Sequence, residues 1–156
     1  VPTPEPTNPK TILLAEDEET DAIMFRFAMK SSGLTFPLVV ARDGQEVVDY
    51  LSGLDPYGDR GKNPLPSLLV LDLKMPRITG FDVLSWLKTR PDLDIPAVVL
   101  SSSSYPEDIQ KAKKLGAREY FIKPHSLVEL SKLLQTVTSR WLVQQESERQ
   151  TSDLQP

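Results

Sequence analysis

The chain has 156 residues, 39% of them apolar and 26% charged, which is enough for one soluble domain with a true core. A net charge of −4 argues against a general nucleic-acid or membrane surface, and the absence of cysteine excludes a disulfide framework and thiolate chemistry. No apolar run approaches the length of a membrane span and no secretory leader is visible, so the chain reads as cytoplasmic.

Residues 1–9 are rich in proline and are expected to form a flexible tail. Structure is expected from Lys10, with Ile12-Leu13-Leu14-Ala15 as a buried strand running into Glu16-Asp17-Glu18-Glu19. A helix from about Thr20 to Ser32 follows, its acidic start suited to the positive end of the helix dipole and Gly33 suited to its exit. Its apolar residues lie nearly all round, so no buried face is assigned. Leu38 to Ala41 reads as a second strand, and Asp43-Gly44 turns it into a helix from about Gln45 to Leu51. Residues 52–66, rich in Gly, Pro and Asp, read as a long surface insertion loop within one domain.

Leu68-Leu69-Val70-Leu71 is an apolar run without alternation, as in a strand buried on both faces, and it ends at Asp72, with Pro76 closing the loop behind. A helix over about Gly80 to Thr89 is expected to turn Phe81, Leu84 and Leu87 inward. Ala97 to Leu100 is a fourth strand and empties into Ser101 to Ser104. Ser104 with Glu107 has the spacing of a capping box, opening a helix that Gly116 ends. Glu119 to Ile122 is a fifth, less apolar strand, expected near an edge, and it leads into Lys123-Pro124. Ser126 with Glu129 repeats the capping pattern before a helix with Leu127, Leu130, Leu134, Val137 and Trp141 on one stripe. Residues 144–156 read as a polar tail, with no second domain after the last helix.

Strands alternating with helices imply a parallel sheet with right-handed crossovers and helices on both faces. In such a sheet the residues after each strand share one edge, where open α/β sheets bind ligands. Glu16, Asp17, Asp72, Ser101 and Lys123 therefore converge. Carboxylates about 4 Å apart repel by roughly 4 kcal/mol per pair at an effective dielectric of about 20, so the cluster invites a cation. Hard oxygen donors without His or Cys suit Mg²⁺ rather than zinc. Two other readings compete. A magnesium-dependent hydrolase also gathers acids at strand ends, but typically places a second acid two residues after the first, where this chain has Lys74; a binding module that keeps only the fold has no need of the full set.

The ordered set Ile12 to Asp17, Leu69 to Pro76 with Gly80, Val99 to Ser102, and Gly116-Ala117 leading to Tyr120-Phe121-Ile122-Lys123-Pro124 resembles the receiver domain of two-component response regulators, over residues 10–143. The long loop before the third strand and the aromatic near the chain's last helix are similar to the single-domain group associated with bacterial phytochromes. The resemblance implies a flavodoxin-like doubly wound sheet in strand order 2-1-3-4-5. It implies a signalling module rather than a conventional enzyme, assisting its own phosphorylation and dephosphorylation. Asp72 is the expected acceptor of a phosphoryl group from a histidine kinase or phosphotransfer protein. Asp17, Asp72 and the backbone carbonyl of Lys74 are the expected Mg²⁺ ligands, with Glu16 acting through water. Lys123 and Ser101 are expected to bind the phosphoryl group, Ser101 and Tyr120 to form the switch, and Lys74 and Ser103 to tune dephosphorylation. Lys123-Pro124 is a place where the family often has a cis bond, and His125, the only histidine, is expected at the surface. Output is expected through a downstream protein on the face of the fourth helix, fifth strand and fifth helix. Leu142 and Val143, read as apolar beyond the needs of the core, suggest a homodimer on the same face.

Overall fold

The apolar runs form strands β1 (Ile12–Ala15), β2 (Leu38–Ala41), β3 (Leu68–Leu71), β4 (Ala97–Ser101) and β5 (Glu119–Ile122) in a computed structural model that describes residues 9–144. All pairings are parallel and the order is β2-β1-β3-β4-β5, as expected, with β5 at an edge. Ala15 pairs with both Ala41 and Leu71, so β1, β2 and β3 end level, while Leu71 pairs with Val99 and Ser101 with Ile122, so β4 and β5 run two residues further at the same edge. Side chains alternate between two cores. Ile12, Leu14, Leu68, Val70, Val98 and Leu100 face one, and Leu13, Ala15, Leu69, Leu71 and Val99 the other. Burial on both sides is why these strands show no polar alternation.

Helices α1 (Glu19–Ser31) and α5 (Leu127–Thr138) cover the first core; α2 (Gly44–Ser52), α3 (Gly80–Lys88) and α4 (Pro106–Lys114) cover the second. On α1 the buried residues are Ala22, Phe25, Ala28 and Met29, a stripe at spacings of three and four. Ile23 and Phe27 lie exposed outside it, which is what blurred the amphipathic pattern. On α3, Val83 and Leu84 are buried, and Phe81 and Leu87, expected inward, are half-buried and pack against the same core. The Lys111 ammonium also lies over the Phe81 ring, 4.3 Å from its centroid.

The capping pattern at Ser104 makes no cap. Pro106 opens α4 after Tyr105, because its fixed φ and missing N–H suit the first helical position. Ser126 does cap α5, accepting from the Glu129 amide at 3.1 Å. A full reciprocal box forms between Thr79 and Asp82 at the start of α3. Here Gly80 is required: a Cβ would stand 2.3 Å from the Asp72 carbonyl oxygen, so the start of α3 presses on the backbone leaving β3.

Residues 53–66 form a pinned loop. Arg60 donates to the carbonyls of Tyr50 (2.8 Å) and Leu51 (2.9 Å) near the end of α2, the Tyr50 hydroxyl donates to the Pro64 carbonyl at 2.9 Å, and the Tyr50 and Tyr57 rings lie 5.1 Å apart. The one cis peptide bond among the described residues is Asp55–Pro56, so Lys123–Pro124 is trans, unlike the expectation drawn from the family.

The end of α5 departs from expectation. Residues Ser139–Val143 form a π-helical turn, in which residues five apart stack on one face. Leu142 thus follows Val137 into the core and is 1% exposed, so it is not surplus apolar surface. Trp141, expected on the inner stripe, is half-buried and donates its indole N–H to Glu119 at 3.0 Å, while Arg140 pairs with the same carboxylate. The Lys10 ammonium donates to the Leu142 carbonyl. Leu142→Ala is expected to lower stability by about 2–3 kcal/mol, measurable as a lower urea midpoint with unchanged slope. The expected tails at 1–9 and 144–156 lie, apart from Pro9 and Gln144, outside the described residues. No described helix is long and apolar enough to cross a membrane.

Candidate functional site

The shared C-terminal edge of the sheet brings the expected residues together. Asp72 follows β3, Glu16 and Asp17 follow β1, Ser101 closes β4 and Lys123 follows β5. The Lys123 ammonium donates to Glu16 Oε2 at 2.8 Å and to Asp72 Oδ2 at 2.9 Å, joining three strand ends through one cation. Its third donor goes to Asp21 Oδ2, also at 2.9 Å.

Glu16 and Asp72 are only 4% and 6% exposed, so their charges need this partner. Burial pushes the Glu16 pKa up, and the hydrogen bond and charge of Lys123 offset only part of that. For Lys123, burial pulls its pKa down, but hydrogen bonds to Asp21, Glu16 and Asp72 more than reverse the effect and hold it above the ordinary lysine value. The ammonium therefore stays charged across the neutral range. The other carboxylate oxygens are held by backbone amides: Glu18 donates to Glu16 Oε1 at 3.1 Å and Lys74 to Asp72 Oδ1 at 3.3 Å.

Glu16, Asp17 and Asp72 each offer a carboxylate oxygen, and these oxygens lie within 4.8 Å of one another. An all-oxygen donor set of this size fits a hard divalent cation and leaves positions for water and a phosphoryl oxygen. The Lys74 side chain is exposed, and His125 is exposed as expected.

Ser101 is fully buried and its Oγ accepts from the Ser103 amide at 3.2 Å. Tyr120, half-buried against the core, donates its hydroxyl to the Ser103 carbonyl at 2.7 Å. The backbone of Ser103 thus links the two expected switch residues. The Ser103 hydroxyl donates to Asp108 Oδ2 at 2.5 Å and so ties the same loop to α4. Sequence reasoning missed both Asp21 and Asp108. Asp21 lies in the first turn of α1 and Asp17 stands before that helix, so only the course of the helix brings Asp21 back to the strand end.

The model of the response regulator receiver domain matches residues 12–135. Response regulator Rcp1 of Synechocystis sp. is 34% identical over 88% of this chain and 92% of its own length. The Mn²⁺-bound crystal structure of Rcp1 superposes with a TM-score of 0.75, covering 86% of this chain and 96% of that one at 34% identity. The phosphorylated cyanobacterial phytochrome response regulator RcpA gives a TM-score of 0.79 at 32% identity, covering 88% and 96%. The response regulator RPA3017 in red light signaling of R. palustris gives 0.82 at 27% identity, covering 86% and 94%. A doubly wound sheet in this order, carrying buried acids bridged by a strand-end lysine, agrees with those matches along nearly the whole length of the relatives, and the chain belongs to the response regulator receiver family, a phosphoacceptor of two-component signalling.

Proposed function

We propose that Asp72 is the phosphoacceptor and that a sensor histidine kinase of phytochrome type or a phosphotransfer protein is the donor. The observation that carries this reading is the Lys123 ammonium 2.9 Å from a buried Asp72 that also belongs to the acidic trio. Asp72 Oδ attacks phosphorus, the P–O bond forms as the P–N bond to the donor histidine breaks, and the imidazole leaves. Glu16, Asp17, Asp72 and the Lys74 carbonyl would hold Mg²⁺, with Glu16 acting largely through water. The ion supplies positive charge to the transferring oxygens. Lys123 adds its ammonium to the same oxygens, since positioning and electrostatics dominate phosphoryl transfer.

After transfer, the Ser101 hydroxyl donates to a phosphoryl oxygen, which alters the Ser103 amide bonded to it. Tyr120 is coupled through the Ser103 carbonyl, so a charge change at Asp72 is read out at β5. Lys74 and Ser103, the positions expected to tune dephosphorylation, set the phosphate lifetime. Acceptance is tested by brief treatment with acetyl phosphate and Mg²⁺ followed by intact-mass measurement of the native chain and Asp72→Asn; no gain on the native chain, or equal gain on both, rejects the reading.

The reading extends to residues 10–143 as the receiver unit, acting in the cytoplasm, with a downstream protein bound on the α4-β5-α5 face. Exposed Tyr105, Ile122 and Val128 support that face and a homodimer formed on it. Sedimentation across a wide concentration range, before and after phosphorylation, is expected to show a mass rising toward twice the monomer. A constant monomer mass in both states removes the dimer.

A further inference from the structure

An ammonium has three hydrogens to donate, and Lys123 gives one each to Glu16, Asp21 and Asp72. These partners are not equivalent. Glu16 and Asp72 belong to the trio whose oxygens lie within 4.8 Å of one another, and Asp21 does not. A divalent ion in that trio competes with the ammonium for the oxygens of Glu16 and Asp72. Phosphorylation then turns one Asp72 oxygen into the bridging oxygen of an acyl phosphate. Asp21 is the one partner that neither event claims.

Packing alone does not hold the lysine in place. Its side chain borders a cavity of about 80 Å³ whose walls include Leu14, Met24, Phe25 and Leu130. A long, rotamer-rich side chain beside open space takes its position from its ion pairs. Asp21 is well placed to supply one, because buried Ala22 and Phe25, one and four residues further along α1, fix its first turns against the core.

We propose, resting on the reading of Asp72 as acceptor, that Asp21 is a positioning residue. It keeps the Lys123 ammonium over Asp72 while the metal ion and the phosphoryl group engage the other two carboxylates. Its side chain is 45% exposed, so its contribution is that of a partly screened pair. Loss of that pair corresponds to a phosphorylation rate about two- to fivefold lower.

The test compares native chain, Asp21→Asn and Asp21→Glu for the rate of phosphoryl gain from acetyl phosphate with Mg²⁺. Alongside, nitrogen-15 NMR of the Mg²⁺-saturated, unphosphorylated proteins observes the Lys123 ammonium signal, visible only while its protons exchange slowly. Expected are a slower rate and a lost ammonium signal in Asp21→Asn, and partial return of both in Asp21→Glu. In a Lys123→Ala background Asp21→Asn is expected to have no further effect on the rate. An unchanged rate, a persisting ammonium signal in Asp21→Asn, or an equal slowing in the Lys123→Ala background overturns the proposal. Phosphoryl gain by Asp72→Asn instead removes the underlying reading, whatever Asp21 does.

Discussion

Asp72→Asn is expected to remain folded and to show no phosphoryl gain under conditions that phosphorylate the native chain. The amide is nearly isosteric, so the end of β3 and the packing of Gly80 against the Asp72 carbonyl are retained. The chemistry does not survive, because an amide oxygen lacks the negative charge with which a carboxylate attacks phosphorus. Placement of the amide is also awkward. One carboxylate oxygen now accepts from Lys123 and the other from the Lys74 amide, so the new NH₂ group must face a donor on one side. Removing one charge also relieves repulsion with Glu16, and the divalent-ion affinity should fall with it. Mass measurement checks the first outcome and calorimetric Mg²⁺ titration the second; phosphoryl gain by the variant would move the acceptor elsewhere.

Lys123→Met is expected to have opposite effects on stability and on metal binding. In metal-free buffer it strands two buried carboxylates without a cation, a loss of about 3 kcal/mol of folding stability. The deficit should narrow on acidification. Glu16 already has a raised pKa from burial, the variant raises it further, and protonation in the folded state becomes favourable as pH falls through that value. Because the native ammonium competes for Glu16 and Asp72, its removal should tighten Mg²⁺ binding. Millimolar Mg²⁺ should therefore raise the melting temperature of the variant more than that of the native chain. Equal Mg²⁺ responses would mean that lysine and metal do not share these oxygens.

The fold and most of the site were legible for one reason. Strands buried on both faces are continuous apolar runs, and in a parallel sheet the residues after them must share an edge, so Glu16, Asp72, Ser101 and Lys123 could be gathered without coordinates. What escaped depends on helix phase. Asp21 looked like one more acid at a helix start, and only the orientation of α1 aims it at Lys123. Ile23 and Phe27, apolar yet exposed, hid that orientation. Ser104 and Glu107 had capping spacing, but Pro106 took the first helical position and moved the start. Leu142 escaped because a period of three to four was carried through a turn that has one residue more.

That wider turn has a consequence for how the chain tolerates changes in length. Insertions in residues 53–66 alter a surface excursion already clamped by Arg60 at the end of α2 and by the Tyr50 hydroxyl at Pro64. A single residue gained or lost within Ser139–Val143 would instead rotate the terminus by a fraction of a turn. Leu142 would leave the core, and the Trp141 and Arg140 contacts with Glu119, the neighbour of Tyr120, would go with it. The count of residues between Val137 and Leu142 is thus under a tighter constraint than the identity of most of them.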